Sequence, residues 1–208
     1  EKLVFDGRYI EFLNIKDSEL KNSLRTIVLM KCWSRTLNLN LFSSDNLLSN
    51  IVINAVREED FPSTINYDYI TNWKVLNFLT NCELSGFSIG NLEAKILFHI
   101  KIPNLKELTL NSNKIVSIES EVFKNMIHLE RLVLKNNRIE KLDPNLFMDL
   151  TNLVNLDLSW NNIYHLEENV FLSLKNLKVL NLFNNRLDII EKDMFNGLAN
   201  LVGLNIRY

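Results

Sequence analysis

Between Leu105 and Leu198 one 24-residue unit is repeated four times. Leu105, Leu108, Leu110, Asn113, Ile115, Ile118, Phe123 and Met126 fill the first copy, and Leu129, Leu132, Leu134, Asn137, Ile139, Leu142, Phe147 and Leu150 the second. Leu153, Leu156, Leu158, Asn161, Ile163, Leu166, Phe171 and Leu174 fill the third, and Leu177, Leu180, Leu182, Asn185, Leu187, Ile190, Phe195 and Leu198 the fourth. The period constrains the fold because a unit this short cannot bury its own apolar face. It must stack on its neighbours. The Leu-x-Leu segment alternates in and out, which predicts a short strand with one buried face, and identical stacked strands form a parallel sheet. The Asn turns the chain inward after the strand, where its side chain satisfies backbone groups that water cannot reach. The Phe fills the far side of each coil.

The pattern L-x-x-L-x-L-x-x-N-x-I-x-x-L-x-x-x-x-F-x-x-L resembles the 24-residue, phenylalanine-containing class of leucine-rich repeats typical of extracellular proteins. Among those it is similar to arthropod Toll-receptor ectodomains and to secreted leucine-rich immune proteins. The resemblance implies an α/β fold: a right-handed horseshoe solenoid with a concave parallel sheet of about nine strands and mostly irregular convex segments.

The frame runs back into the N-terminal half with decay. Leu24, Ile27 and Leu29 open one coil, Leu48, Ile51 and Ile53 the next, and Leu3 and Phe5 an earlier one. Trp73, Leu76, Phe78 and Asn81 read as the fourth strand and its turn, which makes Asn81 the first rung of an asparagine ladder continued by Asn113, Asn137, Asn161 and Asn185. Arg8, Cys32 and Val56 hold that slot earlier. The domain reading is a single unit, 1–208, with degenerate repeats over 1–104, an enlarged coil at 73–104 and regular repeats over 105–208. Leu201, Leu204 and Ile206 begin a ninth strand, so the chain is expected to be a fragment lacking its caps, pairing end to end with a second copy near Tyr208.

A net charge of −2 gives no electrostatic footprint for nucleic acid or an anionic membrane, and no apolar run approaches a membrane span. Cys32 and Cys82 do not form a C-x-x-C, and on this frame they lie too far apart for a disulfide. His99, His128 and His165 fall in unrelated slots without metal-ligand spacing. Phosphate-binding and nucleophile motifs are missing from the sequence, and Gly is scarce. Acidic residues before the Phe slot, such as Glu121, Asp143, Glu168 and Glu191, read as a solvated back. No enzyme, cofactor or metal is expected.

What remains is a surface. Outward strand positions form a column through Val4, Val28, Val52, Asn77, Thr109, Val133, Asp157, Asn181 and Asn205, with Leu79, Arg131 and Asn155 beside it. Trp160, Phe183 and Tyr208 stand just beyond the strands, in consecutive coils, where the core pattern calls for no aromatic. Aromatic and Arg residues dominate protein-binding hot spots. The candidate binding set is therefore Trp160, Phe183, Tyr208, Arg131, Asp157, Asn181 and Asn155. The expected function is non-catalytic recognition of a protein ligand or co-receptor in extracellular innate immunity. An adhesion or developmental receptor fragment and an intracellular scaffold are the alternatives, the latter favoured by sparse cysteines and the lack of Asn-x-Ser/Thr sequons.

Overall fold

Two-residue alternation around each Leu-x-Leu becomes a short strand in the computed structural model, which describes residues 2–6, 23–30, 48–54, 78–86, 89–92 and 102–207. In chain order the strands are β1 (Lys2–Asp6), β2 (Thr26–Met30), β3 (Asn50–Asn54), β4 (Asn81–Ser85), β5 (Asn91–Leu92) and β6 (Glu107–Thr109). They continue with β7 (Ser117–Ile118), β8 (Arg131–Val133), β9 (Asn155–Asp157), β10 (Val179–Asn181) and β11 (Gly203–Asn205). Nine of them form one parallel sheet in the order β1-β2-β3-β4-β6-β8-β9-β10-β11, while β5 and β7 pair separately. Register is uniform: Leu108, Leu132, Leu156, Leu180 and Leu204 are direct partners across successive strands. This is the nine-stranded solenoid that the repeat predicts.

Behind the sheet, each coil returns through tight turns, with Val122 N donating to Glu119 O and Lys124 N to Glu121 O. Regular helix between 102 and 207 is confined to one 3-10 turn, Lys192–Phe195. The Phe slot builds a continuous stack. Phe123, Phe147, Phe171 and Phe195 lie with ring centroids 6.4, 6.1 and 6.5 Å apart and nearly parallel planes. An equal period in sequence thus gives equal stacking in space.

The turn asparagines are buried and fully used. Asn137 Oδ1 accepts from the backbone N–H of Asn113 (2.9 Å) and Ile115 (3.1 Å) in the preceding coil. Its Nδ2 donates to Leu110 O (2.9 Å) and Leu134 O (2.8 Å). Asn161 repeats this with Ile139 N and Leu158 O, and Asn185 with Ile163 N and Leu182 O. A second amide row stands in the slot before the first Leu, where the sequence reading named none. Asn152, Asn176 and Asn200 donate to Ile127 O, Thr151 O and Lys175 O at 2.8 to 2.9 Å.

The fourth strand departs from the frame read in the sequence. It is Asn81–Ser85, with Cys82 paired to Ile51 on one side and Leu108 on the other. Asn81 is therefore the first residue of a strand, half-exposed, and not a ladder asparagine. Leu79 is fully buried instead of outward, and Glu83 takes the column position expected for Asn77. The long connection lies before this strand: Thr80 bonds Ser49 across 31 residues, whereas Ser117 bonds Asn91 across 26. The enlarged coil is thus the one entering β4. Cys32, Val56, Trp73 to Asn77, residues 93–101 of the coil expected to be enlarged, with His99 among them, and Tyr208 lie outside the described residues.

Cys82 is a free thiol, buried in the strand. Burial, and then the neighbouring Glu83 charge, push its pKa from 9.0 up to about 12. In the folded protein it stays protonated and enclosed, so it should not react with a thiol reagent at about pH 8 until the chain is unfolded. Peptide mapping after labelling, with and without urea, checks this; fast native labelling of Cys82 would contradict it. Because the folded value lies above the unfolded one, its contribution to stability holds at neutral pH and declines above about pH 9.

Candidate binding surface

Parallel register carries each outward slot across the sheet as a column. Glu107, Arg131, Asn155 and Val179 form one. Glu83, Thr109, Val133, Asp157, Asn181 and Asn205 form the next. The structure thus brings Arg131 beside Asn155, and Asp157 beside Asn181. These last two are partly engaged: Asp157 Oδ1 accepts from Ser159 N (2.9 Å) and Asn181 Oδ1 from Phe183 N (3.1 Å), so each braces the turn that leaves its strand. Arg131 is exposed.

Trp160 and Phe183 meet edge to face, with ring centroids 5.8 Å apart at 68°. Trp160 remains 48% exposed. Its backbone is the informative feature. The slot before each ladder asparagine is left-handed, with φ of 57° at Ser112, 56° at Asn136, 58° at Trp160 and 55° at Asn184. Short polar side chains visit that region readily, but a bulky one pays about 1–2 kcal/mol. The same φ means that Asn136 would not accept Ala as freely as an ordinary exposed residue. Nothing in the core requires an indole at 160, so it sits there against the local conformational preference.

At the opposite edge, where the strands begin, Thr80, Lys106, His128, Glu130, Val154 and Lys178 line an open groove of about 630 Å³. Lys106 Nζ bonds Glu130 Oε1 at 2.8 Å, and that contact raises the Lys106 pKa. The groove is polar and mixed in sign.

The edge where the strands end is different, and the sequence reading missed it. Lys114, Arg138 and Arg186 recur in the slot after the ladder asparagine, with Asn162 between the two arginines. Lys135 and Arg207 lie in the column of Phe183. The signal was periodic and legible, but net charge hides it. Among the described residues no group of acidic, His or Cys side chains could hold a metal ion, and no helix is long and apolar enough to cross a membrane.

Known proteins place this architecture. The leucine rich repeat family model matches residues 103–163 and 151–208, about half of the chain. A search of curated proteins returns no match. The chain is similar to the protein in a crystal structure of a TLR13–ssRNA13 complex, at 29% identity and a TM-score of 0.73. That likeness covers 96% of this chain and 27% of the other, so the chain spans about a quarter of its length. It is also similar in fold to an LRR protein of Leptospira interrogans, at 22% identity and a TM-score of 0.66, over 95% of this chain and 53% of that one. The repeat pattern, the nine-stranded parallel sheet and the family match agree: the chain belongs to the leucine-rich-repeat family and resembles Toll-receptor ectodomains.

Proposed function

We propose that the chain is a non-catalytic recognition module that takes a protein ligand or co-receptor on its concave face, in extracellular innate immunity. The observation that carries the reading is Trp160, half-exposed at φ 58° in a slot filled elsewhere by Ser112, Asn136 and Asn184. A side chain kept in a strained and solvated position is best explained by what it touches when bound. The ssRNA in the TLR13 complex belongs to that protein. Here Glu83, Glu107 and Asp157 stand in the outward columns and favour a protein over a continuous phosphate chain. End-to-end pairing of two copies is a further proposal.

Replacing Trp160 by Asn tests the reading. Losing the ring contact costs about 0.5–1.5 kcal/mol, and relief of left-handed strain returns about 1–2 kcal/mol, so stability should change by less than about 1.5 kcal/mol. Capture of the partner from extracellular fluid on immobilised protein should fall by at least about tenfold, as for a hot-spot residue. Glu168→Lys on the convex back should leave capture unchanged. Loss with the back variant and retention with Trp160→Asn would overturn the concave assignment.

A further inference from the structure

We infer that the rim at which the strands end, Lys135, Arg138, Arg186 and Arg207 around Trp160, docks an acidic protein segment. This rests on the reading of the chain as a protein-recognition module and names the chemistry of its partner.

Backbone bonds fix the layout. Lys135 O accepts from Ser112 N, Phe183 O from Trp160 N and Arg207 O from Asn184 N, at 2.8 to 3.1 Å, which sets these residues in one column along the rim. Arg138 N donates to Ile115 O and Arg186 N to Ile163 O, both at 2.8 Å, which sets the arginines in a second column just outside the first. At about 4.8 Å per coil, Lys135 and Arg207 stand roughly 14 Å apart and the arginines roughly 10 Å. Trp160 lies between the arginines in the coil order.

All four basic side chains are exposed, and no ion pair among the described residues involves any of them. Among the described residues the carboxylates lie mostly elsewhere. Glu121, Glu168 and Glu191 are on the convex back, and Glu140 and Asp188 mark where the rim turns onto it. Charge is therefore segregated: a basic, aromatic edge on a slightly acidic molecule. Such an edge steers and orients a partner of opposite sign. The partner's charge must be local. Glu107 and Asp157 lie inward of the rim and repel a polyanion laid across the concave face. A peptide segment whose acidic side chains meet the rim, and whose apolar side chain meets Trp160, avoids them.

The test uses two labelled probes of equal charge, a Glu-Ala repeat peptide and a mixed-sequence single-stranded RNA, followed by anisotropy at about 50 mM and about 300 mM salt. Three proteins are compared: the unaltered chain, the rim variant Arg138→Glu/Arg186→Glu, and the back variant Lys124→Glu/Lys175→Glu, which has the same net charge. The unaltered chain should bind the peptide more tightly than the RNA, and less tightly at the higher salt. The rim variant should weaken peptide binding by at least about tenfold, and the back variant by less than about twofold. Thermal melts should match, because the four substituted positions are exposed. Equal weakening by both variants, tighter binding of RNA, or no binding of either probe would overturn the inference. If neither probe binds while partner capture still depends on Trp160, the acidic-segment inference fails and the concave-face reading stands.

Discussion

Asn137→Ala should destabilise the protein by about 2–6 kcal/mol, a large effect for one small polar side chain. The substitution removes the acceptor shared by Asn113 N and Ile115 N, which meet Asn137 Oδ1 at 2.9 and 3.1 Å. Both N–H groups belong to the turn of the preceding coil, next to residues that are fully buried. Orphaning a buried donor costs about 1–3 kcal/mol, and two are orphaned here. Leu134 O keeps a second donor in Asn161 Nδ2 at 3.1 Å, so the carbonyl side loses less. The proper comparison is Asn162→Ala. Asn162 is half-exposed, its coil contact runs through its backbone N–H to Ile139 O, and its substitution should cost less than about 0.5 kcal/mol. Asn136 is a poor control because its φ of 56° makes Ala there cost about 1 kcal/mol by itself. Urea denaturation of both variants decides. Equal midpoints for Asn137→Ala and Asn162→Ala would remove the ladder from the account of stability.

Phe147→Ala should cost about 3–5 kcal/mol, the range for emptying a buried aromatic site. Phe147 is the middle of three consecutive rings, 6.4 Å from Phe123 and 6.1 Å from Phe171, and it is 1% exposed. Its loss opens a cavity walled on both sides by rings that cannot close over it, because each is held by its own coil. Leu172→Ala, on the exposed back of the next coil, should cost less than about 1 kcal/mol. The denaturation slope should stay the same for both, since the surface exposed on unfolding barely changes. A Phe147→Ala effect no larger than that of Leu172→Ala would show that the ring stack contributes little.

The second half of the chain is legible in sequence because eight slots recur together, and no other frame satisfies them all. The fourth strand was not. Trp73-x-x-Leu76-x-Phe78 imitates the apolar spacing of a strand, and Asn81 falls where a turn asparagine would stand. The true strand places Cys82 and Leu84 inward, and the residue three beyond Leu84 in the sequence is Phe87 and not Asn. Two local frames competed, and the choice between them is made by pairing with β3 and β6, which a reading of one segment does not contain. The candidate surface was only partly readable for a related reason. Outward strand positions follow from alternation, and they gave Arg131, Asn155, Asp157 and Asn181. The left-handed backbone at Trp160 and the basic rim arise in the turn, where alternation has ended and period alone places the side chains.

The register of the sheet has one consequence for how such a molecule can change length. Within the regular repeats the ties between coils, whether ladder amide, rim carbonyl or phenylalanine ring, join residues about one repeat apart, as in the bond from Asn113 N to Asn137 across 24 positions. A duplication of 24 residues anywhere between Leu105 and Leu198 would hand the new coil a complete set of partners above and below, and extend the sheet by about 4.8 Å. A duplication of half that length would put Pro144, Glu168 or Lys192 where a strand leucine must be buried, and would break the ties of the coils on either side. Growth and loss in this architecture are therefore quantised, and a lineage can lengthen its concave face in whole steps without rebuilding the coils already in place.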